Sequence, residues 1–97
     1  MEEEIKQAFE ITLDMKILQS QRLSGEDFLK VAVPIIVEFR KGLAQKGISD
    51  IDNRVRKVAT YMVNYFNNKL NPKMDSQNVQ NTINILSGNN PILNMFL

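Results

Sequence analysis

A chain of 97 residues with 12 basic and 11 acidic side chains carries a net charge of +1 and contains neither cysteine nor histidine. Its length supports one hydrophobic core, so a single helical domain over residues 1–97 is expected. The missing residue types exclude disulfides, thiolate nucleophiles, imidazole acid–base chemistry and zinc sites of the usual kind, and no apolar run reaches the roughly 18 residues of a membrane span.

The first segment, Glu2 to Leu18, carries two periodicities at once. Ile5, Ala8, Ile11, Met15 and Leu18 recur at helical spacing behind three glutamates that suit the positive end of a helix dipole. Phe9, Ile11, Leu13, Met15 and Ile17 alternate with Glu10, Thr12, Asp14 and Lys16, which is the period of a strand. A helix near Glu3 to Leu18 is expected, because a lone strand finds no convincing partner elsewhere in the chain. The opening MEEEIK is acidic where a signal peptide is basic, and together with the lack of cysteine this points to a cytoplasmic setting.

Ser24 to Gln45 is the most apolar stretch, and the rest of the chain reads as its cover. Phe28, Ala32, Ile35, Phe39 and Leu43 form one seam and Leu29, Val33, Ile36 and Val37 a second flank, so a helix near Gly25 to Gln45 should touch neighbours on two sides. Ser24 followed by Asp27 is a capping signal. Pro34 removes one backbone donor and crowds the carbonyl of Lys30. It predicts either a kink or, alternatively, a boundary at which a helix begins.

Gly47 can close this helix in left-handed geometry, with Ser49 and Asp52 capping the next. Ile51, Val55, Val58, Met62, Phe66 and Leu70 then predict a helix near Asp50 to Leu70, ended by Asn71-Pro72. Asp75 or Ser76 opens a shorter helix, Ser76 to Ser87, with Val79, Ile83 and Leu86 inward and Ser87-Gly88 at its close. Short connections make the expected fold all-α, an antiparallel four-helix bundle with a kinked central helix and an apolar C-terminal tail. Phe28, Ile35, Phe39, Val58, Met62 and Phe66 are the expected core. Phe39→Ala should then cost about 3 to 5 kcal/mol and Arg56→Ala almost nothing.

Two segments are candidates for function. Ile92, Leu93, Met95, Phe96 and Leu97 place large apolar residues where chain ends are commonly polar, so the tail should pack on its own helices, on a second copy, or on a protein partner. Arg54, Arg56 and Lys57 form a candidate basic patch beside the turn Leu43-Ala44-Gln45-Lys46-Gly47-Ile48-Ser49, which resembles the turn of helix-turn-helix DNA-binding domains. That register fails: the family's small residue stands four before the glycine and its buried aliphatic six after, whereas Ala44 is three before and Asn53 six after. The cations then solvate an outer face and complement the acidic first segment.

No glycine-rich phosphate loop or paired metal-ligand motif is present, Tyr61 and Tyr65 read as packing residues, and neither enzymatic activity nor a cofactor is expected. By exclusion, the leading class is a non-enzymatic protein-binding module or accessory protein. Arg54 to Met62, the Asn71-Pro72-Lys73-Met74 link, the final helix and the tail together resemble the immunity proteins that protect lactic-acid bacteria from pediocin-like bacteriocins, in order of elements rather than by motif. That resemblance implies an intracellular antiparallel four-helix bundle whose C-terminal segment contributes to specificity. It also implies recognition of a bacteriocin–receptor complex at the inner face of the membrane.

Overall fold

The computed structural model describes residues 1–88 and 91–97. Four α-helices, α1 (Glu2–Ser20), α2 (Gly25–Gln45), α3 (Ile51–Asn67) and α4 (Ser76–Ser87), are followed by a 3-10 turn, Pro91–Phe96. No strand occurs among the described residues, so the alternating pattern of Phe9 to Ile17 resolves as helix.

Three chain punctuations act as their chemistry dictates. Ser24 caps α2 by accepting from the Asp27 amide at 3.1 Å. Past the end of α2, Gly47 stands at φ 71°, the Ile48 amide bonds the Leu43 carbonyl at 3.2 Å and the Gly47 amide that of Ala44 at 3.1 Å, a Schellman turn that also seats Ile48 on the core. Asp75 caps α4 through the Asn78 amide at 2.8 Å. The expected Ser49 cap does not form: α3 starts behind Asp50, whose carboxylate receives Arg54 Nε at 3.0 Å instead of a backbone amide. The Asn71–Pro72 peptide is cis.

Pro34 lies inside a continuous α2, so it marks no helix boundary. Packing on both sides of α2 outweighs one lost backbone bond. Val31, Ala32, Val33, Ile36, Phe39 and Leu43 are buried along it with Phe28. Of the six expected core residues, Phe28, Phe39, Val58, Met62 and Phe66 are buried, but Ile35 is only partly so. The seam runs through Ile36, which continues the four-and-three spacing from Ala32 to Phe39, and Ile35 falls at its edge.

Packing decides which stripe of α1 turns inward. Its inward residues are Phe9 and Leu13, supported by the half-buried Ile5 and Ile17, all four residues apart. The stripe of Ala8, Ile11, Met15 and Leu18 faces outward, with Leu18 77% exposed. Both faces of α1 are apolar, and the bulk of Phe9 decides between them. Its ring packs edge-on to Phe28 (centroids 5.9 Å apart) and to Tyr65 (5.8 Å).

α2 and α3 form the central pair. α1 packs against both, and so does α4, but α1 and α4 do not meet among the described residues, which puts them on different sides of the pair. Contacts from Glu2 to Arg54, Glu10 to Tyr61 and Asp14 to Tyr65 advance together along α1 and α3, so these two helices run in the same direction. The 3-10 turn packs on α2 and α4.

One residue carries visible strain. Gln21 closes α1 at φ 53°, where an L side chain is disfavoured by roughly 1 kcal/mol and glycine is not. Gln21→Gly is expected to raise stability by about 0.5 to 1 kcal/mol, measured as a higher denaturant midpoint.

Candidate functional site

The tail is a half-anchored turn. Leu93 is buried and Phe96 half-buried against the core cluster, whereas Met95 and Leu97 are 77% and 66% exposed and Ile92 is 38% exposed. Proline at the first position of the turn fixes φ without sacrificing a needed donor. A groove opens between tail and helix, walled by Ile36 and Val37 of α2, Leu93 and Leu97 of the tail, and rimmed by Arg40 and Lys41. The five candidate tail residues are therefore divided. Leu93 and Phe96 hold the turn down, and Met95 and Leu97 are presented from it.

The three basic candidates are not one patch. Arg54 is bound within the fold, its Nε on Asp50 at 3.0 Å and its Nη1 on Glu2 at 3.3 Å, so α3 meets the acidic start of α1. Arg56 reaches α4, donating to Asn84 Oδ1 at 2.9 Å and Ser87 Oγ at 3.2 Å. Lys57 is exposed. Arg56 therefore does more than solvate a face, and its removal should cost about 1 kcal/mol rather than nothing.

Residue types alone did not point to the node that Arg56 joins. Arg40 of α2 donates from Nη1 to Asp52 at 2.7 Å and from Nη2 to the Ser87 carbonyl at 2.7 Å. Ser87 is buried, and its Oγ donates to the Ile83 carbonyl at 2.7 Å. Two guanidinium groups thus sit at the C-terminal end of α4, where the dipole is negative; Arg40 takes a carbonyl that lacks a helical partner and Arg56 the side-chain oxygens beside it. The signal in the sequence is weak, since Arg40 and Ser87 are separated by 47 positions.

A second polar seam ties α1 to α3. Tyr61 donates to Glu10, and Tyr65 donates to Asp14 Oδ2 at 2.9 Å. The Lys6 and Lys69 ammonium groups lie 4.9 and 4.5 Å from the Tyr61 and Tyr65 ring centroids. Bonding to the Glu10 carboxylate, with burial, pushes the Tyr61 hydroxyl up to about 12. Burial, then the bond to Asp14, raises Tyr65 as well. Burial pulls Lys69 down, but its bonds to Asp14 and Tyr65 outweigh it and its pKa is raised. These tyrosines hold their protons through the neutral range and make poor acid–base groups there.

The seam sets an alkaline limit on stability. An unfolded phenol titrates near 10 and folded Tyr61 near 12, so the unfolded chain loses its proton first. The contribution is complete below about pH 10 and is lost as the pH rises toward 12. Melting temperature is expected to fall across that window, and Tyr61→Phe should flatten the fall.

Asp27 is the one buried carboxylate among the described residues, held by Arg22 Nε at 2.9 Å and Ser24 Oγ at 2.8 Å. Arg22 first and Ser24 second hold its pKa below the usual carboxylate range. Its carboxylate is thus paired with Arg22 and Ser24 at the start of α2. Among the described residues no group of three carboxylates could hold a metal ion, and no helix is long and apolar enough to cross a membrane. Comparison with family models, with curated proteins and with solved structures finds no match to this chain.

Proposed function

We propose that the protein is a non-enzymatic protein-binding module that works in the cytoplasm through the apolar surface of its tail. The observation that carries this reading is the division of labour in Pro91–Phe96 and Leu97: Leu93 is buried while Met95 and Leu97 stand mostly exposed beside the groove on α2. An anchored turn presents those side chains with little ordering cost, the condition under which a small apolar patch binds. We also read the four α-helices as an antiparallel bundle built round the α2–α3 pair, supported by connections of only four, five and eight residues.

Met95→Asp with Leu97→Asp tests this while sparing the Leu93 anchor. Unchanged thermal stability and mass, with loss of a partner captured from the native cells, is the expected result. Capture that survives both substitutions would dismiss the tail as the binding surface. Immunity against pediocin-like bacteriocins is the second reading, favoured by a C-terminal segment that lies on the helices and exposes apolar residues. Cells producing the protein should then survive such a bacteriocin, and the double variant should not protect them.

DNA binding has less support, because Arg54 and Arg56 are engaged inside the fold. Binding to duplex DNA is expected to be weak, non-specific and lost between about 50 and 200 mM salt, as fluorescence anisotropy would show. Sub-micromolar, sequence-dependent binding at physiological salt would reverse this ranking.

A further inference from the structure

Among the described residues the outward face of α1 has no partner, and yet it is patterned like a helix seam. Ile11, Met15 and Leu18 are 61%, 54% and 77% exposed. Extended toward the N-terminus, the same line contains Glu4, Ala8, Ile11, Met15 and Leu18, at spacings of four, three, four and three, and Arg22 follows just past the turn that closes α1. That is the alternation of a two-helix seam, and Phe9 and Leu13 already supply the bundle-facing side. Single exposed apolar residues are ordinary; three in register on one helix are not.

We propose that this face pairs with the same face of a second copy of the chain, the two α1 helices lying antiparallel about a two-fold axis at Leu13. The order of residues chooses both partner and direction. Reversing the line on itself sets Ala8 against Leu18 of the second copy and Ile11 against Met15, and brings the acidic start of α1 toward Arg22 just past the end of the other α1. Opposite charges meet at both ends and a small residue faces a large one in the outer apolar layer. A parallel pair would instead bring Glu2, Glu3 and Glu4 against their own copies and Arg22 against Arg22. Arg22 lies just past the end of α1 with its side chain 63% exposed, and only its Nε is bonded to Asp27, so the guanidinium keeps donors for a carboxylate. The pairing is isologous, so it closes as a dimer. Three large apolar side chains per copy put the contact at the small end of specific interfaces, on the order of 1,000 Å², and the association is concentration-dependent.

Sedimentation of the full chain from low micromolar to about 1 mM should show the mass rising from one chain to two. Met15→Lys with Leu18→Lys, both on exposed positions, should weaken the dimer at least about tenfold at unchanged helicity. Glu4→Arg should weaken it at unchanged helicity. The absence of native cysteine allows a direct reading of direction. A mixture of Ala8→Cys and Leu18→Cys chains should oxidise mainly to the mixed dimer, whereas preferential 8–8 and 18–18 products would overturn the antiparallel arrangement. A single-chain mass at every concentration would overturn the dimer itself. A dimer lost on Met95→Asp and Leu97→Asp but not on Met15→Lys and Leu18→Lys would assign self-association to the tail and refute the α1 pairing. The tail's binding role can fail without affecting any of these results.

Discussion

Phe28→Ala is expected to cost about 3 to 5 kcal/mol, the largest effect of any single truncation in this chain. Phe28 is 1% exposed, stacked on Phe66 of α3 at 4.6 Å between centroids and edge-on to Phe9 of α1 at 5.9 Å. Its ring therefore touches the other two large helices at once, and alanine leaves a cavity lined by three separate elements. Ring–ring geometry adds roughly 0.5 to 1.5 kcal/mol per pair beyond area burial, which favours the upper part of that range. Against a total of about 5 to 15 kcal/mol for a domain, the variant should sit near the edge of folding at 37 °C. Urea denaturation reads the outcome as a lower midpoint at unchanged slope. A loss under about 1 kcal/mol would mean that the three helices are not keyed together at this ring. Phe39, 3% exposed farther along α2, should follow with a comparable loss.

The second large effect is expected at Arg40. Its side chain is only 24% exposed, and one fork joins α2 to Asp52 near the start of α3 and to the carbonyl at the end of α4. The bond to Asp52 contributes little, since that carboxylate is 89% exposed. The bond to Ser87 is charge-assisted, and its removal strands a carbonyl beside a buried serine. Arg40→Ala should cost about 2 kcal/mol, and Arg40→Lys about half as much, because an ammonium cannot span both acceptors in the planar geometry. A thermal melt of the three proteins separates the cases. Equal melting temperatures for wild type and Arg40→Ala would show that water replaces the guanidinium without loss.

What the sequence disclosed depended on whether a segment had one apolar face or two. α3 has one, and Val55, Val58, Met62 and Phe66 are buried as its spacing implies. α2 is apolar over a wide arc, so its position between neighbours was legible while its exact centre, Ile36 rather than Ile35, was not. α1 offers Phe9 and Leu13 on one side and Ile11, Met15 and Leu18 on the other, and local periodicity has no means of ranking them. Only the aromatic groups waiting on α2 and α3 break that tie. Caps at Ser24 and Asp75 and the turn at Gly47 were readable because their bonds span a few residues. The Arg40–Ser87 contact and the tyrosine–carboxylate seam join residues 47 and 51 positions apart, where only the finished packing sets the pairing.

The tail rests partly on α4, the shortest of the four α-helices. Ile83, Leu86 and Ser87 are the buried residues of α4, against six on α3 and eight on α2. A short element with few buried residues is expected to open ahead of α2 and α3, its amides exchanging with solvent while theirs stay protected. Opening α4 breaks the Ser87 bonds to Arg40 and Arg56 and removes one of the two supports beneath the 3-10 turn. The surface offered by Met95 and Leu97 thus sits on a trapdoor, and a ligand that grips it would be felt first as slowed exchange in α4, some distance from any residue it touches.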